Sequence, residues 1–140
     1  MYQPLAATRE IAAPRLPDFV AKIEGISHAE PPGRWTDGPV ARIRFSRALP
    51  RQFTLEFVVA HAYGPNRGLP VTVRVADATK QFVPDADNQR VSMKIFTRDA
   101  ADTLEFLIPR PTSPASSGAS RDTRALGIRL KELRVTSTGG

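Results

Sequence analysis

The chain has no cysteine and only two histidines, His28 and His61. Without cysteine it can form neither a disulfide frame nor a thiolate metal site. The two histidines lie far apart in the sequence, and neither has a second ligand at a metal-binding spacing. No apolar run approaches the roughly 20 residues of a membrane helix, and the N-terminus lacks the basic and apolar segments of a signal peptide. We therefore expect no metal, no cofactor and no membrane insertion.

Sequence signals of catalysis are missing as well. The chain has no nucleophile elbow, no Ser-His-Asp signature and no glycine-rich loop that could cradle a phosphate. Asp85, Asp87 and Asn88 crudely resemble a calcium loop, but the required glycine and distal glutamate are absent, which favours a polar hairpin turn. These absences predict a domain that is not an enzyme.

The positive charge of the chain is spread out rather than clustered. The formal net charge is +6, with −1 in residues 1–38 and +7 in residues 39–140. The basic residues mostly alternate singly with apolar ones, as on a solvated strand face, and there is no Lys/Arg block of the kind found in nucleic-acid-binding arms. Nucleic acid is therefore not favoured as a partner, whereas an acidic glycan, a phosphate-bearing polymer or an anionic membrane surface would suit the charge.

What the sequence does contain is thirteen prolines and a hydrophobic period of two. Proline breaks helix interiors and central strands, so short strands are favoured over long helices. The last apolar run changes parity between Leu130 and Leu133, which a β-bulge near Lys131 and Glu132 would repair. We predict an all-β fold, an antiparallel β-sandwich of jelly-roll-like type with seven to eight strands. The strands that the alternation indicates are 19–25, 41–49, 53–60, 71–75, 91–95, 104–108 and 128–135.

The chain is long enough for one domain. Residues 1–17 contain Pro4, Pro14 and Pro17 and little periodicity, so we expect an extended lead-in there and a single sandwich domain over residues 18–140. Outward-facing Arg42, Arg44 and Arg74 alternate with apolar residues on two predicted strands. If those strands share a face, that face is basic and long polyanions could follow it.

Three predicted loops carry residues suited to ligand binding. The only tryptophan, Trp35, stands with Asp37 in a turn-rich segment, where it is either an exposed platform for a sugar ring or a lid over the open end of the sandwich. His61, Tyr63 and Asn66 lie in and beside a second loop and suit hydrogen bonds to hydroxyl groups, although Gly-Pro-Asn is also a plain turn former.

The third loop is a long Pro/Ser/Gly segment that leads to Asp122 and Arg124, two residues apart. These two side chains could form an ion pair or bond the backbone of the neighbouring loop. The structural interpretation, a pinned corner of the sandwich, is preferred here over a ligand-binding one.

Several short motifs follow one another in a particular order and resemble a known family. They are Gly33-x-Trp35-x-Asp37-Gly38, a strand ending in Leu49-Pro50, Gly64-Pro65-Asn66, Pro111-x-x-Pro114 and Asp122-x-Arg124-x-Leu126-Gly127-Ile128. This order, over roughly residues 23–137, resembles an accessory β-sandwich domain appended to bacterial phosphoglycerol transferases of the glucan-modifying, sulfatase-like type. It is also similar to domains appended to membrane glycosyltransferases of envelope polysaccharide synthesis.

The resemblance implies an accessory module beside a polysaccharide-building or polysaccharide-decorating enzyme, on the periplasmic side of the cell envelope. An envelope glycosyltransferase or phosphoglycerol transferase is then the candidate protein partner. No active site can be carried over, because the chain lacks any transferase portion.

The sequence thus predicts a non-catalytic, carbohydrate-related module that binds a polysaccharide or oligosaccharide, neutral or anionic. The alternative is a structural or protein-docking module with no glycan affinity. An exposed Trp35 beside polar groups would favour the first, and a buried Trp35 with an exposed apolar patch the second. The candidate ligand-binding residues are Trp35, Asp37, His61, Tyr63, Asn66, Asp122 and Arg124.

Overall fold

The computed structural model describes residues 9–10, 19–28, 33–118 and 120–137. These residues form ten strands and two short 3-10 turns, over Gly64–Asn66 and Pro114–Ser117. The strands are β1 (Arg9–Glu10), β2 (Val20–Glu24), β3 (Arg34–Asp37), β4 (Val40–Leu49), β5 (Gln52–Ala62), β6 (Val71–Val75), β7 (Ala78–Phe82), β8 (Gln89–Phe96), β9 (Ala101–Leu107) and β10 (Leu126–Ser137).

The strands are arranged in two antiparallel sheets that pack face to face. Sheet A has the order β1-β10-β5-β8, and β3 pairs with β10 beside β1. Sheet B has the order β2-β4-β9-β6-β7. The predicted antiparallel, jelly-roll-like sandwich is confirmed, and β5 lies in the interior of its sheet between β10 and β8.

The core lies between the sheets and consists of the inward-facing residues of the period-two pattern. Alternate positions of β4, β5, β6, β9 and β10 are almost completely buried. Phe57 of sheet A packs edge-on against Phe82 and Phe106 of sheet B, with ring centroids 5.1 and 5.2 Å apart. Such contacts between rings from opposite sheets hold the two layers at a fixed spacing.

Three short strands add to those that the alternation indicated. β1 lies in the predicted lead-in and pairs with β10 at Leu133 and Glu132. β3 falls in the segment interpreted as a turn-rich loop and pairs with the first half of β10. β7 is the edge strand of sheet B and exposes most of its side chains, so its sequence lacks the apolar alternation of a half-buried strand. The rest of the predicted lead-in, residues 1–8 and 11–17, lies outside the described residues.

Two bulges adjust the pairing of β5 with β10. The pairing steps from Leu130–Val59 to Glu132–Val58, which leaves Lys131 as the extra residue and confirms the predicted bulge. A second step, from Arg129–His61 to Leu130–Val59, leaves Ala60 as the extra residue on β5. The two bulges compensate each other, so Leu133 and Phe57 are again paired in the original register.

Candidate functional site

The seven candidate residues of the sequence come together at one end of the sandwich, where β3 and β5 end and β10 begins. They divide into two groups. Three of them, Trp35, His61 and Tyr63, lie on the outer side of sheet A, where Arg129 contacts Trp35. We call these four residues the Trp35 cluster. The other four pin the chain at the adjacent corner of the sandwich: Asp37, Asn66, Asp122 and Arg124.

The Trp35 cluster is built by strand register. Trp35 of β3 is paired with Arg129 of β10, and Arg129 is paired with His61 of β5, so the three side chains stand in one row on one face. Phe57 and Val59 of β5 point into the core, and without the bulge at Ala60 the same parity would turn His61 inward. The bulge therefore places His61 on the outer face.

Trp35 is the buried centre of this cluster. Only 8% of its surface is exposed, and it is absent from the core between the sheets. The rings of His61 and Tyr63 meet it edge-on, with centroids 5.9 and 6.1 Å away, and the Arg129 guanidinium lies 5.5 Å from its ring centroid. Trp35 is thus neither an exposed platform nor a lid over the end of the sandwich, but a support for three more exposed side chains.

His61 is held from its other side by an acidic loop. Its Nδ1 lies 2.9 Å from Oδ1 of Asp87, and Arg67 donates to the same oxygen at 3.1 Å. Because a carboxylate only accepts, Nδ1 carries the proton of this hydrogen bond, and Nε2 is the ring nitrogen left for another partner. The hydrogen bond with His61 is the largest cause of a lowered pKa of Asp87, and the hydrogen bond from Arg67 is the second. The imidazole is therefore fixed in orientation while it remains half-exposed.

Asn66 is completely buried and serves the backbone of three loops. Its Nδ2 donates to the carbonyls of Tyr63 and Arg110 at 2.9 and 2.8 Å, and its Oδ1 accepts the N–H of Arg110 at 3.0 Å. It has no exposed surface for a ligand. Its effect on the Trp35 cluster is to hold the backbone of Tyr63.

Asp37, Asp122 and Arg124 pin the start of β10. Asp37 Oδ1 accepts the N–H of Ala125 at 2.9 Å. Arg124 donates to Asp122 through its backbone N–H at 3.0 Å and through Nη2 at 2.7 Å, and its Nη1 reaches Ser27 Oγ at 2.9 Å. The Arg124 side-chain and backbone bonds lower the pKa of Asp122 to about 2. The ion pair considered from the sequence is present, whereas the backbone N–H that the Asp122 carboxylate accepts belongs to Arg124 in the same loop, and the bond to another segment reaches the Ser27 side chain.

Sequence reasoning missed three residues of this end of the molecule: Arg67, Asp87 and Arg129. Asp87 was interpreted only as a turn residue, and nothing in the spacing connects it with His61. The pairing of Arg129 with Trp35 depends on an irregularity of β10 between Leu126 and Arg129, which the sequence does not announce.

Other possible sites offer less. Among residues 19–28, 33–118 and 120–137, no group of three or more acidic or histidine side chains could hold a metal ion. The same part of the chain contains no helix that is long and apolar enough to cross a membrane. A shallow groove of about 360 Å³ lies where β4 bulges away from β9, and none of the seven candidate residues lines it.

The fold is shared with solved carbohydrate-binding proteins. A mutant of CBM29-2, a family 29 carbohydrate binding module, superposes with a TM-score of 0.58 at 16% identity, covering 95% of this chain and 92% of that one. A second CBM29-2 mutant, whose structure is a complex with cellulohexaose, gives a TM-score of 0.55 at 17% identity over 95% and 92% of the two chains. At such low identity the likeness concerns the fold alone.

Sequence comparison gives a nearer relationship. Phosphoglycerol transferase I of Escherichia coli O139:H28 is 30% identical over 128 residues, which cover 89% of this chain and 17% of that protein. The phosphoglycerol transferase I of Shigella boydii serotype 18 gives the same values. The chain thus spans about a sixth of the length of these relatives, as an accessory domain would, and the resemblance drawn from the motifs is confirmed. A family model matches residues 3–137, and the chain belongs to that family, which is described as Domain of unknown function (DUF7024).

Proposed function

We propose that this domain is a non-catalytic glycan-binding module that accompanies a polysaccharide-decorating enzyme. The fold of carbohydrate-binding modules and the relationship to part of phosphoglycerol transferase I support this proposal. The relationship also supports a phosphoglycerol transferase as its protein partner and a location at the cell envelope, on its periplasmic side.

The observation that carries the proposal is the geometry of the Trp35 cluster. His61 and Tyr63 are half-exposed, and each is held edge-on against the buried Trp35. His61 offers Nε2 for a hydrogen bond, Tyr63 offers a hydroxyl and a ring face, and Arg67 offers donors at the rim. A pyranose ring presents alternating C–H faces and hydroxyl groups, so it matches a surface that combines a ring with fixed donors and acceptors.

The role of Trp35 in this proposal differs from the one expected from the sequence. Because it is buried, it cannot stack on a sugar, and the half-exposed Tyr63 is the ring of the cluster that can. Trp35 instead limits the motion of Tyr63 and His61, so that less side-chain entropy is lost on binding. A shallow site of this kind binds weakly and gains from several contacts along one polymer.

A glycan array of neutral and anionic bacterial polysaccharides is the first test, followed by titration of the best ligand. We expect Tyr63→Ala and His61→Ala each to weaken binding about five- to tenfold, since one lost hydrogen bond is worth about 1 kcal/mol. Phe96→Ala is the matched control, because Phe96 is an exposed aromatic at the far end of the same sheet face. Unchanged binding by both cluster variants would refute the site, and no binding to any glycan would refute the function.

A second candidate function, protein docking, is favoured by the burial of Trp35 and by the exposed apolar side chain of Phe96. This side chain is 62% exposed at the end of the edge strand β8. Val83 is the other exposed large apolar residue of the described part. It precedes the start of β8, whereas Phe96 lies at the end of that strand, so the two side chains are remote from each other. The docking candidate predicts that Phe96→Ala weakens association with the transferase portion in a pull-down experiment while no glycan binds.

A further inference from the structure

The outer face of sheet B carries a row of polar residues that crosses all five strands, and four of the five are charged. Strand pairing sets Glu24, Arg42, Glu105 and Arg74 side by side, with Thr79 on the last strand. At about 4.8 Å per strand the row is about 19 Å wide. The strands of Arg42 and Arg74 lie in the same sheet and the two arginines share a face, but the face also contains an acidic residue between them, which the sequence did not indicate.

Glu105 holds both arginines through the same kind of bond. Arg42 Nε donates to Oε2 and Arg74 Nε donates to Oε1, each at 2.7 Å. Glu105 is the more buried partner, with 16% of its side chain exposed against 44% and 41% for the two arginines. The hydrogen bond from Arg74, more than that from Arg42, lowers the pKa of Glu105, and the same bond raises the pKa of Arg74. The carboxylate therefore stays ionised and fixes both guanidinium groups.

The bonds to Glu105 leave the outer ends of both guanidinium groups available. Within the part of the chain that the structure describes, Arg42 and Arg74 use only Nε, so that Nη1 and Nη2 of each make no hydrogen bond to protein. Arg44, two residues from Arg42 on the same face, is exposed and forms no ion pair there. A guanidinium end with two parallel N–H donors matches the oxygens of a phosphate or carboxylate group.

We propose that Arg42 and Arg74, positioned by Glu105, form a binding site for oxyanion groups, phosphate or carboxylate, on the glycan. This inference rests on the proposed function and adds a second surface to it, on the sheet opposite to the Trp35 cluster. The Trp35 cluster binds hydroxyl groups of the glycan, and Arg42 and Arg74 bind its charged substituents. Two guanidinium groups held at a fixed separation favour a polymer that carries regularly repeated anions over a single free anion.

The experiment compares three polymers: polygalacturonate as the carboxylate, poly(glycerol phosphate) as the phosphate and a neutral β-glucan. We expect the wild-type domain to bind at least one anionic polymer more tightly than the neutral one. We expect Arg42→Gln/Arg74→Gln to weaken that binding tenfold or more, because each substitution removes a charged donor group whose hydrogen bonds to an oxyanion are stronger than neutral ones. The anionic polymer that responds identifies the substituent.

The matched control is Arg51→Gln/Arg98→Gln, which removes the same charge from two exposed loop positions. If both double variants lose the same affinity, binding follows net charge alone and the site does not exist. Arg42→Lys/Arg74→Lys keeps the charge and is the safer variant for folding. It should weaken binding about as much as the Gln pair, because lysine lacks the two-pronged donor end.

Glu105→Gln separates a positioned site from general attraction. The substitution raises the net charge by one, so general attraction predicts tighter binding to an anionic polymer. A positioned site predicts weaker binding, because the amide cannot accept from both arginines with two ionised oxygens. Tighter or unchanged binding would overturn the proposal. Neutral β-glucan binding without any preference for the anionic polymers would also overturn it and leave the proposed function intact, whereas no binding to any polymer would remove both.

Discussion

The buried amide of Asn66 gives the most direct test of how the corner of the sandwich is held. Asn66→Ala removes three hydrogen bonds of 2.8 to 3.0 Å and leaves the N–H of Arg110 without its partner, whereas the carbonyls of Tyr63 and Arg110 keep the backbone N–H of residue 66 and Thr112 Oγ1 as donors. At about 1 kcal/mol net for each bond, we expect the free energy of unfolding to fall by about 3 kcal/mol. For a chain of 140 residues the unfolding entropy is about 0.3 kcal/mol/K, so the melting temperature should fall by about 10 °C.

Urea unfolding followed by circular dichroism measures this change, with thermal melting as the second readout. Gln81→Ala is the control, because Gln81 is an exposed amide with a single bond, from Nε2 to Thr72 Oγ1 at 3.2 Å. It should change the stability by no more than about 0.5 kcal/mol. If the free energy of unfolding of Asn66→Ala also differs from that of wild type by no more than about 0.5 kcal/mol, the loops are held by other contacts and the account of the corner is wrong.

Asn66→Asp tests the direction of the bonds. The aspartate would place an accepting oxygen against the carbonyls of Tyr63 and Arg110, to which Asn66 donates. Burial raises the pKa of such a carboxyl group, because its charged form is desolvated. The deficit in stability relative to wild type should therefore be large at pH 7 and shrink as the carboxyl is protonated at lower pH. A deficit that does not depend on pH would contradict the assigned orientation of the amide.

Three further outcomes are expected. Phe57→Ala should lower the free energy of unfolding by about 3–5 kcal/mol in urea denaturation, the usual cost of deleting a buried aromatic side chain; a loss below about 1 kcal/mol would show that the sheets are not joined at this ring. Gly127→Ala should destabilise the fold by about 1–3 kcal/mol, because the added Cβ would lie 2.5 Å from a methyl group of Ile108; a melting temperature equal to wild type would contradict the close approach. The pKa of Asp122 is lowered to about 2 from an ordinary 3.8 by its bonds to Arg124, so its stabilising effect is complete above the higher value and disappears as the pH falls through the lower one. The difference in urea midpoint between wild type and Asp122→Asn should accordingly be constant above about pH 5 and vanish near pH 2, and a difference that persists there would rule out the ion pair as its cause.

The sandwich itself follows from the sequence because the core strands are half-buried, and half-burial produces alternation. Where burial is not one-sided, the pattern disappears. Arg34, Trp35 and Thr36 of β3 are all buried, so this strand shows no period of two and its flanking glycines make it look like a loop. The sequence does not indicate β7 for the opposite reason: most of its side chains are exposed, so no apolar alternation marks the strand.

The candidate residues lie together at one end of the molecule, but their arrangement depends on register. The bulge at Lys131 was predictable, because it reverses the parity of apolar residues within a single strand. The bulge at Ala60 was not, because Val58, Val59 and Ala60 are all apolar and hide the change of face. Since that bulge turns His61 outward beside Trp35, the cluster could not be assembled from the sequence.

The burial of single polar residues could not be predicted from the sequence either. Asn66 has the composition of an ordinary turn residue, and its buried position depends on Arg110, 44 residues away. Glu105 alternates with apolar residues like any solvated strand residue, yet it joins arginines from both neighbouring strands. In both cases the partners are distant in sequence, and only the folded topology brings them together.

The most direct test of the central claim is a map of glycan contacts on the folded domain by NMR. The ¹⁵N-labelled protein is titrated with a neutral cello-oligosaccharide, the class of ligand seen with a CBM29-2 neighbour, and with the best neutral ligand of the glycan array. The account predicts chemical-shift changes concentrated at His61, Tyr63, Arg67 and Arg129, with Phe96 unaffected. Changes concentrated around Phe96, or none at millimolar ligand with either glycan, would contradict it.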